Sequence, residues 1–508
     1  MSISLSAQQR LLKVIWDIND LTRGRVDIED NRGIVLALFF LKALSDRYEV
    51  EYEHFMVECG DVYEEDIVDR IEDFSDFFTF IVPKEAKFSF LLESLASNGN
   101  ACRLVTAFNR LEQSNNALLG LFSDAELLIQ RLSSRRFEDN YFGELIEIYS
   151  TIDLRPTSFN KVNEIGEVFI QLIQRYASVS GKKSGEYYTP QSITRLLTQL
   201  LEPTIGNEMY DPACGSGSLL ASLFNSVKEN TLNFHSGGVY GQEKNISTYN
   251  LARMNLILNG IVDSHIYCGD TIANPAFLDS NTNHLKKFDI VASIPPFSLS
   301  TWGTEYAVND TFDRFKWGIP PKSKGDYAFI SHMLTSLKED TGRMAVVVPH
   351  GVLFRGAAEG KIRTNIISEN LLDAVIGLPQ NLFSGTGIPT VIMIFNKRKA
   401  DETIFFIDAS KGYEAGKNQN SLSEENVNKI YSAFKARKEV NGYSRNVSIR
   451  EIIENDFNLN ISRYIDDFKE ERDLDLDAEI IKRRALQCEL KTLESEMENF
   501  LFQIINKN

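Results

Sequence analysis

What is scarce in these 508 residues sets the first limits. The five cysteines, Cys59, Cys102, Cys214, Cys268 and Cys488, are scattered along the chain. No Cys-x-x-Cys pair and no neighbouring histidine cluster accompanies them. That argues against a zinc site and against a disulfide framework, and it fits a reducing cytosol. The opening Met1-Ser2-Ile3-Ser4 has no basic region leading into an apolar run, so no signal peptide is read there. Apolar runs such as Ile34 to Leu41 fall far short of the roughly 20 residues that span a bilayer, and no membrane partner is expected. Positive charge is also short: 54 Lys and Arg stand against 71 Asp and Glu, a net charge of −17. Affinity for duplex DNA rests mainly on basic contacts to phosphates, so a chain this acidic should not grip DNA well by itself. If DNA is the partner, basic residues are segregated onto one face or another subunit supplies most of the binding. The competing reading is that the charge serves solubility alone.

What is present reads as two or three domains. Residues 1–150 are expected to form a helical domain. Leu11, Val14, Ile15, Ile18 and Leu21 mark one helical apolar face, Ile34 to Tyr48 a second, and further helical patterns cover Leu91 to Leu121 and Ala125 to Leu132. The acids Glu64, Glu65, Asp66, Asp69, Glu72 and Asp73 alternate with Val68, Ile71 and Phe74, as on the solvated side of a helix. Residues 151–440 open with a helix over Asn160 to Tyr176. A second helix is expected to begin at Pro190 with Thr189 as its cap. Strands and helices then alternate, the pattern of a mostly parallel α/β sheet. Residues 441–508 form a C-terminal segment. In it Leu486, Leu490, Leu493, Met497, Phe500 and Ile504 recur at spacings of four and three, a coiled-coil seam of nearly three heptads. The seam either packs back on its own chain or pairs with a partner helix.

The stretch Asp211-Pro212-Ala213-Cys214-Gly215-Ser216-Gly217-Ser218 lies between a short strand, Glu208 to Tyr210, and a helix from Leu219. A glycine-bearing turn there lets a ligand approach the backbone and meet a helix N-terminus. Acids close three successive strands: Asp211, Glu243 after Gly238 to Gln242, and Asp270 after His265 to Gly269. Strand ends often carry solvated acids, but the C-terminal strand ends of an open α/β sheet also form its ligand crevice. Glu243 stands where a carboxylate can accept from both ribose hydroxyls, and Asp270 where it can accept from an adenine amine. The trio predicts an adenosine-containing ligand. Ser218, Leu219 and Leu220 follow Gly217, so the third glycine of the dinucleotide fingerprint is missing, which disfavours a pyrophosphate. A sulfonium bearing a free amino-acid end suits Asp211 instead. Gly181-Lys182-Lys183-Ser184 is not a P-loop, because Tyr176 occupies the place of its earlier glycine.

Asp211 to Ser218 resembles the S-adenosylmethionine motif of amino-methylating DNA methyltransferases. The chain as a whole resembles the modification subunit of type I restriction-modification systems. The similarity is carried by Ile34 to Lys42, Gly185-Glu186-Tyr187-Tyr188-Thr189-Pro190, Gly241-Gln242-Glu243 and Asn250 to Leu256. It continues through Asp326-Tyr327-Ala328-Phe329, Pro349 to Gly356 and the C-terminal helix. The resemblance implies an S-adenosylmethionine-dependent, Rossmann-like methyltransferase domain over 151–440, flanked by the helical domain and a helical tail. It implies S-adenosylmethionine as cofactor, held by Glu186, Tyr187, Tyr188 and Thr189, by Asp211, Pro212, Ala213, Gly215, Ser216 and Gly217, and by Glu243 and Asp270, with no metal. It implies duplex DNA with a flipped-out adenine, a second copy of the chain, a specificity subunit met through the C-terminal helix, and often a nuclease-translocase subunit.

At the place of the family's catalytic Asn-Pro-Pro-Phe or Asn-Pro-Pro-Tyr motif stand Ile294, Pro295, Pro296 and Phe297. The adenine amine is a poor nucleophile because its lone pair is delocalised into the ring. In the family, the asparagine oxygen and a proline carbonyl accept its hydrogens, and the aromatic ring stacks on the flipped base. Ile294 has no acceptor, whereas the Pro295 carbonyl and the Phe297 ring remain. Three readings follow: a natural relative that binds cofactor and DNA without methylating, a disabled variant, or an enzyme whose acceptor comes from elsewhere. A Pro-Pro-Phe turn that merely makes a rigid connection is the bland alternative.

Overall fold

The computed structural model describes residues 11–13, 18, 26–59, 77–95, 99–134, 140–159, 163–180, 189–229, 238–383, 386–417, 419–465 and 476–505. The expected acidic helix face at 64–73 and the site candidates Glu186, Tyr187 and Tyr188 lie outside these residues.

The N-terminal region is helical: α1 (Ile28–Cys59), α2 (Phe88–Glu93), α3 (Asn100–Gln113), α4 (Ser123–Ser134) and α5 (Asn140–Ser150). The apolar run at Ile34 to Leu41 is buried on every side, as a central helix requires. The next helix, α6 (Glu164–Ser180), begins four residues later than the sequence suggests, and its Val168, Phe169, Leu172, Ile173 and Tyr176 join the same core. Helix α7 (Gln191–Leu201) follows. Pro190 is itself its N-cap and no side chain caps it, so Thr189 does not play the expected capping part.

The sheet comprises β1 (Met209–Asp211), β2 (Val239–Glu243), β3 (Ser264–Cys268), β4 (Ile290–Ser293), β5 (Arg343–Pro349), β6 (Leu372–Gly377), β7 (Thr390–Asn396), β8 (Thr403–Asp408) and β9 (Ser444–Ser448). Their order is β3-β2-β1-β4-β5-β7-β6-β8-β9. The first five are mutually parallel, β7 is antiparallel to both β5 and β6, and β9 closes the far edge antiparallel to β8. The mostly parallel expectation therefore holds for the half that carries the glycine turn, and the other half is mixed, with β6 parallel to β8 between antiparallel pairings. Helix α8 (Ser218–Glu229) connects β1 to β2, and α9 (Ile246–Leu258) connects β2 to β3, the crossovers that parallel neighbours need. Strands β4 and β6 are buried throughout, which is why their residues are mainly apolar on both faces rather than alternating.

Helix α9 belongs to two cores. Met254, Ile257 and Leu258 pack into the helical-domain core, while Ala252 and Leu256 pack with Leu220, Phe224 and Val239 of the sheet domain. Asn250 also donates to the Gly120 carbonyl, and Arg253 donates to the carbonyls of Leu119 and Ala117. The two domains thus share one helix as their seam.

The last described helix, α10 (Leu476–Ile505), carries the heptad pattern. Leu486, Leu490, Leu493 and Met497 are 56–59% exposed, so these seam positions do not pack back on their own chain. The side chains of Phe500 and Ile504 lie outside the described residues. Among the described residues no helix is long and apolar enough to cross a membrane.

Candidate active site

The glycine turn begins where β1 ends. Asp211 is buried, and its Oδ1 accepts both the Ala213 N–H at 2.9 Å and the Ser293 hydroxyl at 2.7 Å. The first bond folds the chain back on itself, and the second ties it to the end of β4. The Cys214 N–H then donates to the Gln242 carbonyl, which fastens the turn to β2. Gly215 and Gly217 have φ of +54° and +73°, a conformation that costs a side-chain-bearing residue about 1–2 kcal/mol. A Cβ on Gly217 would also lie 3.4 Å from the Ala252 carbonyl, so the turn rests directly on α9. Helix α8 starts at Ser218 and directs its N-terminus at the same place.

Because β3, β2, β1 and β4 are adjacent and parallel, their C-terminal ends open into one cavity of about 550 Å³. Of the sequence candidates, Thr189, Asp211, Pro212 and Ala213 line it, as do Gly215, Ser216, Glu243 and Asp270. Ile294 and Pro296 form part of its wall from the β4 side. Gly217, Pro295 and Phe297 do not line it: Gly217 faces α9, Pro295 is buried, and Phe297 meets Phe383 edge-on at 5.4 Å between ring centroids.

The three acids sit in different electrostatic settings. Glu243 is the last residue of β2, and its carboxylate accepts from the Gly215 N–H at 3.1 Å and the Asn245 N–H at 2.8 Å. It is therefore part of the turn's scaffold as well as of the cavity wall. Asp270 lies two residues beyond β3 rather than at its end. Its Oδ1 accepts from the N–H groups of Ile272 and Ala273, and its Oδ2 pairs with Lys244 at 2.9 Å. Burial works to raise the Asp270 pKa, but the Lys244 and backbone bonds hold it below the ordinary carboxylate value. Lys244 is largely exposed, so a ligand amine can displace it at small cost. At Asp211 burial dominates. It pushes the carboxyl up to about 7 against the opposing bonds from Ser293 and Ala213, and the Glu243 charge adds to the rise. A carboxyl so placed gains its full charge when a cation arrives beside it.

Past β4 the backbone turns at Ile294 to Phe297. Ser298 has φ of +51°, and its N–H donates to Asp326 Oδ1 at 2.8 Å; Asp326 Oδ2 in turn accepts from Arg355 at 2.6 Å. The turn is thus pinned by the buried Asp326, which the half-buried Arg355 holds in place. Ile294 is half-buried and packs against the apolar core beneath the sheet. Two aromatic walls, Trp302 and Phe329, escaped the reading of the sequence as site residues. Phe329 was visible only as part of Asp326 to Phe329, and Trp302 carries no periodic signal. Phe383 was equally hidden, because only the order of β6 and β7 brings it back to Phe297.

Residues 160–473 match the family model of the N-6 DNA methylases, and residues 11–146 match the HsdM N-terminal domain. The chain belongs to the N-6 DNA methylase family. It is 32% identical to the methylase subunit of the type I restriction enzyme MjaVII of Methanocaldococcus jannaschii, over 96% of this chain and 82% of the relative. It is 31% identical to the MpnII methylase subunit of Mycoplasma pneumoniae, over 96% of both chains. Among solved structures it is similar to the type I restriction-modification methyltransferase subunit of Streptococcus thermophilus, with a TM-score of 0.77 and 32% identity, over 91% of this chain and 100% of that one. The chain is therefore a type I methylase subunit, and its fold is the adenine-specific methyltransferase sheet with an N-terminal helical domain.

The Asp211 carboxyl gives this methylase subunit a pH signature. Its folded pKa of about 7 lies above the ordinary 3.8, so between those values the folded chain holds a proton that the unfolded chain has released. Across that range the group costs the fold increasing stability as pH rises, and the full cost is present above about 7. A cationic ligand needs the ionised form. Affinity for S-adenosylmethionine is expected to tighten about tenfold or more from pH 5.5 to pH 7.5, with proton release on binding, when followed by titration calorimetry in two buffers. Asp211→Asn should bind more weakly at pH 7.5 and lose most of the dependence.

Proposed function

We propose that this chain, as the modification subunit of a type I complex, holds S-adenosylmethionine in the cavity at the β1–β4 strand ends. We propose further that it receives a flipped-out adenine of duplex DNA beside it. The observation that carries the reading is the convergence of Asp211, Glu243 and Asp270 with the glycine turn on one cavity whose wall on the β4 side includes Ile294 and Pro296. Glu243 is placed for the ribose, Asp270 for the adenine amine of the cofactor, and Asp211 for its cationic amino-acid end. Trp302 and Phe329 supply apolar surface. When bound, the cofactor supplies an electrophilic methyl carbon on a sulfonium.

The chain's own residues then decide how well the target amine is prepared. The Pro295 carbonyl can accept one N6 hydrogen, and Phe297, braced edge-on by Phe383, offers a ring for the base. Ile294 offers hydrocarbon where an amide oxygen would accept the second hydrogen. Loss of one preorganised polar group in an active site typically lowers the rate about a hundred- to a thousand-fold. Facing a hydrocarbon adds to that loss unless an acceptor is supplied from elsewhere in the complex. In the limit of no transfer, the chain is a cofactor-binding scaffold within a DNA-recognition complex. Ile294 is the observation that favours this second reading.

The acidic balance assigns most of the DNA grip to partners. We assign the exposed seam of α10 to a helix of the specificity subunit, since an apolar stripe at heptad spacing covers itself by pairing. A second copy of this chain and a nuclease-translocase subunit complete the proposed complex.

Two experiments test these assignments. The complex assembled with its specificity subunit is incubated with labelled S-adenosylmethionine and unmethylated genomic DNA, and N6-methyladenine is counted. Ile294→Asn should raise the transfer rate about a hundredfold or more over the unaltered chain; equal rates would remove Ile294 as the limiting feature. Deleting residues 486–508 should abolish co-purification with the specificity subunit while cofactor affinity stays the same. Intact assembly of the truncated chain would count against the helix assignment.

A further inference from the structure

The peptide joining Ser216 to Gly217 is held on both sides. Its N–H donates to the Cys214 carbonyl within the turn at 2.8 Å. Its carbonyl accepts from Asn255 Nδ2, on α9, at 2.9 Å. Asn255 is fully buried, and its own Oδ1 accepts from Asn259 Nδ2 at 3.0 Å. Asn259 Nδ2 also donates to the Asn255 carbonyl, and Asn259 Oδ1 accepts from Asn225 Nδ2 at 2.9 Å. Asn225 lies on α8, the helix that starts directly after the turn. A chain of three amides therefore runs from the turn through α9 and back to α8. Each amide nitrogen is a donor and each oxygen an acceptor, which fixes the orientation of all three. Helix α6 closes the far end: a Cβ on Gly166 would come within 2.1 Å of Asn259 Nδ2, so the Asn259 side chain has no room to swing out on that side.

We infer that Asn255 and Asn259 are positioning residues for the cofactor turn, Asn255 by holding the Ser216 carbonyl and Asn259 by orienting Asn255. The inference rests on the reading of this cavity as the S-adenosylmethionine site. Ser216 lines the cavity at the N-terminus of α8, where N–H groups favour an anionic ligand group such as the cofactor's carboxylate. With Asn255 removed, the Ser216 carbonyl loses its buried partner, and the turn that presents Ser216 to that carboxylate is no longer held at this peptide. The effect falls on the amino-acid end of the ligand. The adenosine end is met by Asp270, held by Lys244 and its own backbone N–H groups, and by Glu243, which touches the turn at Gly215 and is also held by Asn245, so it depends less on this peptide.

The purified full-length chain is titrated with S-adenosylmethionine and with 5′-methylthioadenosine, which lacks the amino-acid end. Asn255→Leu is expected to weaken S-adenosylmethionine about tenfold or more and 5′-methylthioadenosine less than twofold. Asn259→Ser should give a smaller loss with the same selectivity. Arg253→Ala, on the same helix but bonded only to carbonyls of the helical domain, should change neither ligand more than twofold. Equal weakening of both ligands by Asn255→Leu, or unchanged S-adenosylmethionine affinity, would overturn the inference. Should Asn255→Leu fail to fold, Asn259→Ser decides by the same comparison. Failure of the unaltered chain to bind S-adenosylmethionine would instead overturn the assignment of the cavity.

Discussion

Parallel pairing of β1 with both β2 and β4 is the constraint on which the site depends. Met209 sits opposite Val239 on one side and Ile290 on the other, and Asp211 opposite Gly241, so β2 carries Glu243 two residues beyond Asp211 while β4 brings Ser293 within reach of it. One bond, Ser293 hydroxyl to Asp211, then joins the cofactor turn to the strand that delivers Ile294. A shift of one residue in either pairing would reverse which side chains face each way and separate these groups. The glycine turn, the acids and the Pro-Pro-Phe turn are thus consequences of one register, and the cavity is what that register encloses.

The second determinant is the cost of a buried carboxyl. Asp211 is satisfied at one oxygen by the turn itself and by Ser293, yet burial still outweighs those bonds. A site in that condition is poised for a cation rather than for a pyrophosphate. Its neighbours are treated differently, since Glu243 is engaged by backbone N–H groups and Asp270 by Lys244. Three acids that look alike along the sequence therefore divide into a charge sensor, a scaffold and a paired surface group. On the β4 side of the cavity Ile294 rests on the apolar core, so its lack of an acceptor leaves no polar group of its own unpaired there.

Much of this was legible before any coordinates. The glycine turn, the acids at successive strand ends and the alternation around them are local signals, and local chemistry fixes them. Ile294 was equally visible, because a motif position is read directly. What could not be read depends on contacts distant along the chain. Phe383 returns to Phe297 only through the antiparallel half of the sheet, and Trp302 enters the cavity from a loop without periodicity. Asp326 reaches back to Ser298 across 28 positions and Arg355 reaches back to Asp326 across 29, pairings that no spacing rule announces. Thr189 was read as a helix cap because threonine before proline favours one, but the cap position belongs to Pro190 and Thr189 turns to the cavity. The heptad seam left two outcomes open in the sequence, and among the described residues Leu486, Leu490, Leu493 and Met497 are exposed.

A crystal structure of the chain with S-adenosylmethionine tests the central claim most directly. One cofactor per chain should lie at the C-terminal ends of β1 to β4, with its ribose on Glu243, its amino-acid end beside Asp211, and Ile294 facing the methyl side. A cofactor bound elsewhere on the chain, or density in this cavity whose ribose is not held by Glu243, would contradict the account.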